Sequence, residues 1–141
     1  MSHTFRKGGT HQSTAALVKL VHPEPDSAPL ISWLAAARMP VVTSALAEVE
    51  VERAIRRNAP AALPAVPAVL STVFLFDIDA AIRRAAARMA DPLLRSLEAI
   101  HLATALEFGS GLHTFIAYDK RLLAAAFAAG LTVAHPTSTP H

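Results

Sequence analysis

The sequence contains no cysteine, so disulfide bonds and thiolate metal sites are excluded. Its five glycines lie singly or as Gly8-Gly9, which leaves no glycine-rich loop to bind a nucleotide phosphate. No HExxH motif and no GxSxG motif is present, so the sequence shows neither a typical zinc-peptidase helix nor a nucleophile elbow. No apolar run reaches the roughly 20 residues that cross a bilayer, and the first residues lack the apolar segment of a signal peptide. We therefore expect a cytoplasmic protein without a membrane anchor.

The composition indicates one globular domain. The chain has 141 residues, of which 52% are hydrophobic and only 17% are charged. This length suits a single domain with one sizeable core. The formal net charge of +2 is too small to indicate nucleic-acid binding by itself.

Predicted strands alternate with predicted helices along most of the chain. Apolar patterning and turn residues predict strands over 40–44, 72–76 (a buried strand), 113–118 and 131–135, and helices over 13–21, 26–38, 45–57, 78–90, 93–108 and 120–129. Three prolines break the helical pattern over 58–70. This alternation predicts an α/β fold with a central parallel sheet covered by helices on both faces, that is, a three-layer α/β/α domain.

The two ends of the chain differ from this pattern. Residues 1–12 are polar and lack periodicity, so we expect either a poorly ordered arm or a degenerate first strand. The domain is expected to span 13–135, and 136–141 is expected to be a loose tail.

Polar residues begin several of the predicted helices. We expect N-caps from Ser13 or Thr14, from Asp26 or Ser27, and from Ser44, Asp77 and Asp119. Asp77 and Asp119 follow predicted strands directly, and Thr43 and Ser44 are the last residues of another. Because ligands bind beyond the carboxyl ends of parallel strands, this edge of the sheet is the expected functional site.

Glu98 is an unusual residue in the segment RSLEAIHLATAL (95–106). At helical spacing its neighbours are Leu94 and Leu102, and a buried carboxylate needs a compensating partner. His101, three residues later, is the local candidate for a Glu–His pair.

Glu50 repeats this anomaly in the helix over 45–57. Its i±4 neighbours are Leu46 and Ala54, and Arg53 is the local candidate for an ion pair. Glu52 is placed to pair with Arg56 on a solvated face. For Asp119 the ordinary alternative is an N-cap without further function.

If Glu50, Glu98 and Asp119 converge at one edge of the sheet, they would also fit a metal-binding site. Clustered carboxylates repel one another, and a hard divalent cation such as Mg²⁺ relieves this repulsion. Such a site polarises a phosphoryl oxygen and activates water against a phosphodiester. Spacing therefore permits a metal-dependent nuclease but equally permits caps and ion pairs.

The segment LRSLEAIHLATAL (94–106), followed by FIAYDKRLLAAAFAAGLTV (115–133), resembles the C-terminal half of PIN-domain toxins of the VapC type. TSALAEVEVERA (43–54) resembles the second motif of that family, and TAALVKLVHPEP (14–25) resembles the region after its first motif. The resemblance covers about residues 13–135.

This resemblance implies a PIN-like α/β/α domain that cleaves RNA with Mg²⁺, or Mn²⁺ as a substitute, held by a cluster of acids. By position, Glu50, Glu98 and Asp119 are the implied metal-binding and catalytic acids, and Thr14 is the hydroxyl residue of the first motif. Arg53, with Arg56 or Arg57, is a candidate for contacting RNA phosphate, the alternative being ordinary surface pairing. The implied partners are a VapB-type antitoxin, an RNA substrate and a second copy of the chain.

The first motif departs from the family pattern. Ser13 stands where the family has its first catalytic aspartate, and Glu98 stands where aspartate is usual. The sequence therefore leaves two functions open: an endoribonuclease toxin, and a catalytically impaired PIN-fold module that sequesters the antitoxin.

Overall fold

The protein forms a five-stranded parallel sheet between two layers of helices. The computed structural model describes residues 9–138. The strands are β1 (Gly9–Gln12), β2 (Val41–Ser44), β3 (Phe74–Phe76), β4 (Leu112–Ile116) and β5 (Val133–Ala134). Their spatial order is β3-β2-β1-β4-β5, and every pairing is parallel. The predicted α/β fold with a parallel sheet is confirmed.

Seven α-helices connect these strands within the described residues. They are α1 (Thr14–Val21), α2 (Ser27–Ala37), α3 (Ala47–Asn58), α4 (Val66–Leu70), α5 (Ala80–Ala87), α6 (Ser96–Glu107) and α7 (Lys120–Ala128). The proline-rich segment forms a 3₁₀ turn (Pro60–Ala65) followed by the short α4, as the broken pattern predicts. None of the helices described in 9–138 has the length and apolar character needed to span a membrane.

The central strand is the most polar one. In β1, Thr10, His11 and Gln12 are all buried, and the strand pairs with β2 on one side and β4 on the other. Parallel pairing uses backbone groups, so the strand forms although its side chains show no apolar alternation. The folded unit therefore includes residues 9–12, upstream of the predicted start at residue 13, whereas residues 1–8 lie outside the described residues.

The two faces of the sheet carry separate apolar clusters. Phe115 faces α6 and α7, where it packs with Leu102, Leu122 and Ala126. The next residue, Ile116, points to the opposite face and packs with Ala16 of α1 and Leu30 of α2. This alternation along β4 produces the three-layer arrangement.

Several local predictions are wrong. Ser44 does not cap α3, because the helix begins at Ala47 with Leu46 at the N-cap position, and Ser44 Oγ accepts a hydrogen bond from the N–H of Leu46 before the helix. The sequence predicts a buried strand over 72–76, but β3 lies at the edge of the sheet and Phe74 is 55% exposed. Asp79 rather than Asp77 caps α5, because Asp79 Oδ1 accepts a hydrogen bond from the backbone N–H of Ile82. The three residues after β3 belong to no helix or strand, and α5 begins at Ala80.

The strand order creates a crevice between β1 and β4. The chain passes from β1 outward to β2 and β3, then crosses to β4 and β5 on the other side. The residues that follow β1 and β4 therefore lead into helices on opposite faces, which opens a crevice beyond their carboxyl ends.

Candidate active site at the carboxyl edge of the sheet

An open cavity of about 620 Å³ lies at this edge of the sheet. Four of the predicted site residues line it together: Thr14, Glu50, Glu98 and Asp119. Its other polar and charged lining residues are Ser13, Lys19, Glu24, Arg57, Arg95, Ser96 and His101. The structure thus brings together side chains from four helices and from two strand ends.

Strand and helix ends position these side chains. Ser13 and Thr14 follow β1 directly, and Ser13 caps α1 by accepting a hydrogen bond from the N–H of Ala16 at 3.3 Å. Asp119 lies just beyond β4 and caps α7 by accepting from the N–H of Arg121 at 3.1 Å. The predicted cap role of Asp119 is therefore confirmed.

Asp119 also contacts a second carboxyl group. Glu98, in the first turn of α6, forms a side-chain hydrogen bond with Asp119. Burial of Glu98, this hydrogen bond and the negative charge of Asp119 together raise the pKa of Glu98 to about 7, although Arg95 opposes the shift. The hydrogen bond from Glu98 is the main cause that lowers the pKa of Asp119. Below neutral pH, the two carboxyl groups therefore share one proton, which Glu98 donates.

Glu50 is held by two other side chains. Its Oε1 accepts a hydrogen bond from Thr14 Oγ1 at 2.6 Å and lies 2.7 Å from Nε2 of His101. Burial acts to raise the pKa of Glu50, but the hydrogen bonds from His101 and Thr14 outweigh it, so the pKa lies below its ordinary value. Glu50 is consequently an ionised carboxylate at neutral pH, with 20% of its side chain exposed.

The local partners that spacing suggested for the two glutamates are wrong. Arg53 does not pair with Glu50, and His101 pairs with Glu50 of another helix rather than with Glu98 of its own. In contrast, the predicted pair of Glu52 with Arg56 is present at 2.9 Å. The local partner of Glu98 is instead Arg95, three residues before it, at 3.8 Å, whereas the partners of Glu50 come from other elements.

The donor set is compatible with a hard divalent cation. The carboxyl groups of Glu98 and Asp119 lie close enough that the negative charge of Asp119 raises the pKa of Glu98, and a bound cation would relieve this repulsion. Mg²⁺ commonly binds one or two carboxylates while retaining several waters. Within residues 9–138, no group of three or more His, Asp and Glu side chains has the arrangement of a metal site. The residues therefore fit a two-carboxylate site, with Glu50 on the same cavity wall but held by His101.

Ser13 provides no charge to this cavity. It lines the cavity at the position where the resemblance places an acid, and its hydroxyl oxygen accepts the N–H of Ala16. A neutral hydroxyl engaged in a helix cap is a weaker cation ligand than a carboxylate.

The three arginines of α3 lie in different environments. Arg53 is exposed and is not among the residues that line the cavity, and Arg56 pairs with Glu52. Arg57 lines the cavity, as does Arg95 at the start of α6.

Sequence reasoning missed the role of His101 and the position of Arg95. His101 lies at an apolar position of its helix, which indicates a buried partner. Which residue is that partner depends on how α6 packs against α3. Arg57 has a local signal, because it lies seven residues after Glu50 and so shares its helix face.

Comparison with known proteins places these features in a family. A model of the PIN domain matches residues 14–128. Ribonuclease VapC35 of Mycobacterium tuberculosis is 50% identical over 126 residues, which cover 87% of this chain and 93% of that protein. Ribonuclease VapC46 of the same organism is 37% identical over 124 residues, covering 88% of this chain and 95% of that protein.

Solved structures share the fold at lower sequence identity. The VapC20 toxin of M. tuberculosis, described as cleaving the Sarcin-Ricin loop, has a TM-score of 0.66 and 18% identity, covering 87% of this chain and 96% of that chain. A toxin–antitoxin complex from Klebsiella pneumoniae contains a chain with a TM-score of 0.68 and 20% identity, covering 92% of this chain and 99% of that chain.

Proposed function

We propose, because this chain belongs to the PIN-domain family, that it is the endoribonuclease toxin of a toxin–antitoxin pair and that it requires a divalent cation. The observation that carries this proposal is that Glu50, Glu98 and Asp119 line one cavity in the crevice between β1 and β4. The names of the VapC35 and VapC46 ribonucleases support the reaction class.

Each residue of the cavity has a distinct part in this proposal. Glu98 and Asp119 would hold Mg²⁺ or Mn²⁺, and Glu50 supplies a third carboxylate on the same wall of the cavity. The bound cation would polarise a phosphoryl oxygen and promote ionisation of the attacking water. Thr14 fixes the orientation of Glu50 through its hydroxyl hydrogen bond.

The replacement of the expected aspartate by Ser13 should lower the rate of RNA cleavage. Ser13 replaces one expected carboxylate, and each 1.36 kcal/mol of lost transition-state stabilisation lowers a rate about tenfold. We therefore expect cleavage to be slower than in a variant that carries Ser13→Asp.

The deciding experiment measures cleavage of a mixed RNA pool by the antitoxin-free protein with Mg²⁺, with Mn²⁺ and with a chelator. The matched variants are Ser13→Asp and Asp119→Asn. Asparagine retains the helix-capping acceptor, so Asp119→Asn removes the negative charge without removing the cap.

Metal-dependent cleavage by the unmodified chain that is lost in Asp119→Asn would support the proposal. Cleavage that persists with chelator, or that is unchanged in Asp119→Asn, would overturn it.

The proposal includes an antitoxin and a second copy of the chain as partners. The Klebsiella structure is described as a toxin–antitoxin complex, which supports an antitoxin partner for this chain, and we propose that it is of the VapB type. Co-purification with the candidate antitoxin, followed by light scattering of the complex and of the free chain, tests both partners. A free chain that remains monomeric at all concentrations would contradict the proposed homodimer.

A second function is favoured by the chemistry of Ser13. If only Ser13→Asp cleaves RNA, the chain is a catalytically impaired module that sequesters antitoxin. Antitoxin binding by the unmodified chain, without cleavage, would then be its remaining activity.

A further inference from the structure

Most charged side chains that line the cavity have a partner of opposite charge within the protein. Lys19 Nζ lies 3.4 Å from an oxygen of Glu24, and His101 holds Glu50. Arg95 is 3.8 Å from an oxygen of Glu98, although 81% of its side chain is exposed.

Arg57 is different from these residues. It lines the cavity, yet among residues 9–138 it forms no ion pair with any carboxylate. Its neighbour Arg56 is neutralised by Glu52 on the outer face of the same helix. An exposed guanidinium that faces an acidic cavity without a carboxylate partner is available to bind an anion that enters the cavity.

The position of Arg57 relative to the acids is set by the geometry of α3. Glu50, Ala54 and Arg57 all line the cavity and follow the i, i+4, i+7 spacing of one helix face. Seven residues correspond to roughly 10 Å along a helix axis. The backbone of Arg57 is therefore about two helical turns along α3 from that of Glu50, and its side chain enters the cavity from that position.

We propose that Arg57 binds a phosphate of the RNA backbone that flanks the scissile phosphate. This inference rests on the proposed nuclease function and assigns the path that the substrate takes through the cavity. Guanidinium groups bind phosphate oxygens through paired N–H donors, and such contacts position a nucleic acid without reading its sequence. Of the arginines that the sequence offers for this contact, Arg53, Arg56 and Arg57, only Arg57 lines the cavity, so the proposal assigns the contact to Arg57.

The test measures binding separately from cleavage. Fluorescence anisotropy of a labelled single-stranded RNA of mixed sequence, in the presence of chelator, gives the dissociation constant over a series of salt concentrations. The variants are Arg57→Ala, Arg57→Lys and, as a matched loss of one positive charge, Arg84→Ala on α5. Arg84 is exposed and is not among the residues that line the cavity.

We expect Arg57→Ala to weaken RNA binding roughly tenfold, as for loss of one charge-assisted hydrogen-bonded contact. The slope of log K against log salt should fall by about 0.7, the value for one single-strand phosphate contact. Arg57→Lys should retain part of the affinity because it keeps the charge but loses the paired donors. With Mg²⁺, cleavage by Arg57→Ala should show a raised KM at nearly unchanged kcat, since a flanking contact binds substrate and transition state equally.

An Arg57→Ala variant with unchanged affinity and salt slope would overturn the inference, as would an equal loss in Arg84→Ala. If RNA binding depends on Arg57 but the protein does not cleave RNA, the result would support the RNA-binding role of Arg57 and refute the nuclease proposal. A chain that binds no RNA at all would refute both. Urea unfolding of each variant shows whether a loss of binding reflects a loss of folding.

Discussion

The imidazole Nε2 of His101 lies 2.7 Å from Oε1 of Glu50. The two residues are 51 positions apart in sequence, and their contact joins α6 to α3. His101 is 3% exposed, so the pair connects the interior of α6 to the wall of the cavity. Thr14 Oγ1 lies 2.6 Å from the same carboxylate oxygen and 3.2 Å from the same ring nitrogen. Three elements are therefore held together by one carboxylate, and the stability of the site depends on its partners.

Replacing His101 should destabilise the protein through this pair. His101→Ala removes a buried ring and leaves Glu50 without its main hydrogen-bond partner, so the free energy of unfolding should fall by about 2–4 kcal/mol. A double-mutant cycle with Glu50→Gln, measured by urea unfolding, isolates the coupling between the two side chains. Strictly additive effects would contradict a direct interaction.

Removing the hydroxyl of Thr14 should perturb the Glu50 carboxylate less than removing His101 does. Thr14→Val preserves the shape of the side chain but removes the donor, so the pKa of Glu50 should rise and the free energy of unfolding should fall by about 1 kcal/mol. Thr14→Ser keeps the hydroxyl and should retain most of both properties. Carbon-detected NMR titration of the Glu50 carboxyl group, together with urea unfolding, distinguishes the two variants. Equal behaviour of valine and serine would show that the hydrogen bond contributes little.

The titration of Glu98 should respond to its neighbour Asp119. Burial is the largest cause of its raised pKa, and the hydrogen bond and negative charge of Asp119 add to it. In Asp119→Asn, the charge is absent but the burial remains, so the pKa of Glu98 should fall from about 7 and stay above its ordinary value. NMR titration of the carboxyl group in metal-free buffer measures this shift. A pKa that does not change would place the cause of the shift in burial alone.

His11 should make the protein less stable in weak acid. Its ring is fully buried, its two nitrogens form no hydrogen bond among the described residues, and burial followed by repulsion from His101 lowers its pKa well below 6.5. Below pH 6.5 the unfolded chain therefore binds a proton that the folded chain excludes. The free energy of unfolding should consequently fall with decreasing pH, by at most about 1.4 kcal/mol per pH unit for this group.

A substitution of His11 tests this expectation. His11→Leu places an apolar side chain in the same core against Phe115, so it should raise the free energy of unfolding at neutral pH by about 1–3 kcal/mol. It should also flatten the dependence on pH between 5 and 7, as measured by urea unfolding at several pH values. His22→Ala removes an exposed imidazole and is the control. If both variants change the pH dependence equally, burial of His11 is not its cause.

The sequence by itself determined the alternation of helices and strands, and so the class of fold. Helix-capping residues such as Ser13 and Asp119 act within a few residues, and the structure confirms their local roles. The surface pair of Glu52 and Arg56 is also local, since four residues bring both side chains to one helix face.

The tertiary structure decided what the sequence left open. The central position of β1 depends on backbone pairing with β2 and β4, which polar side chains such as His11 and Gln12 do not reveal. Glu50 takes its partners from other helices, and Glu98 and Asp119 meet across two helices, because the desolvation of a half-buried carboxylate is relieved by whichever donor the packing brings near. Local spacing predicted neither the His101–Glu50 pair nor the Glu98–Asp119 pair. Both pairs depend on how α3, α6 and α7 pack around the end of the sheet.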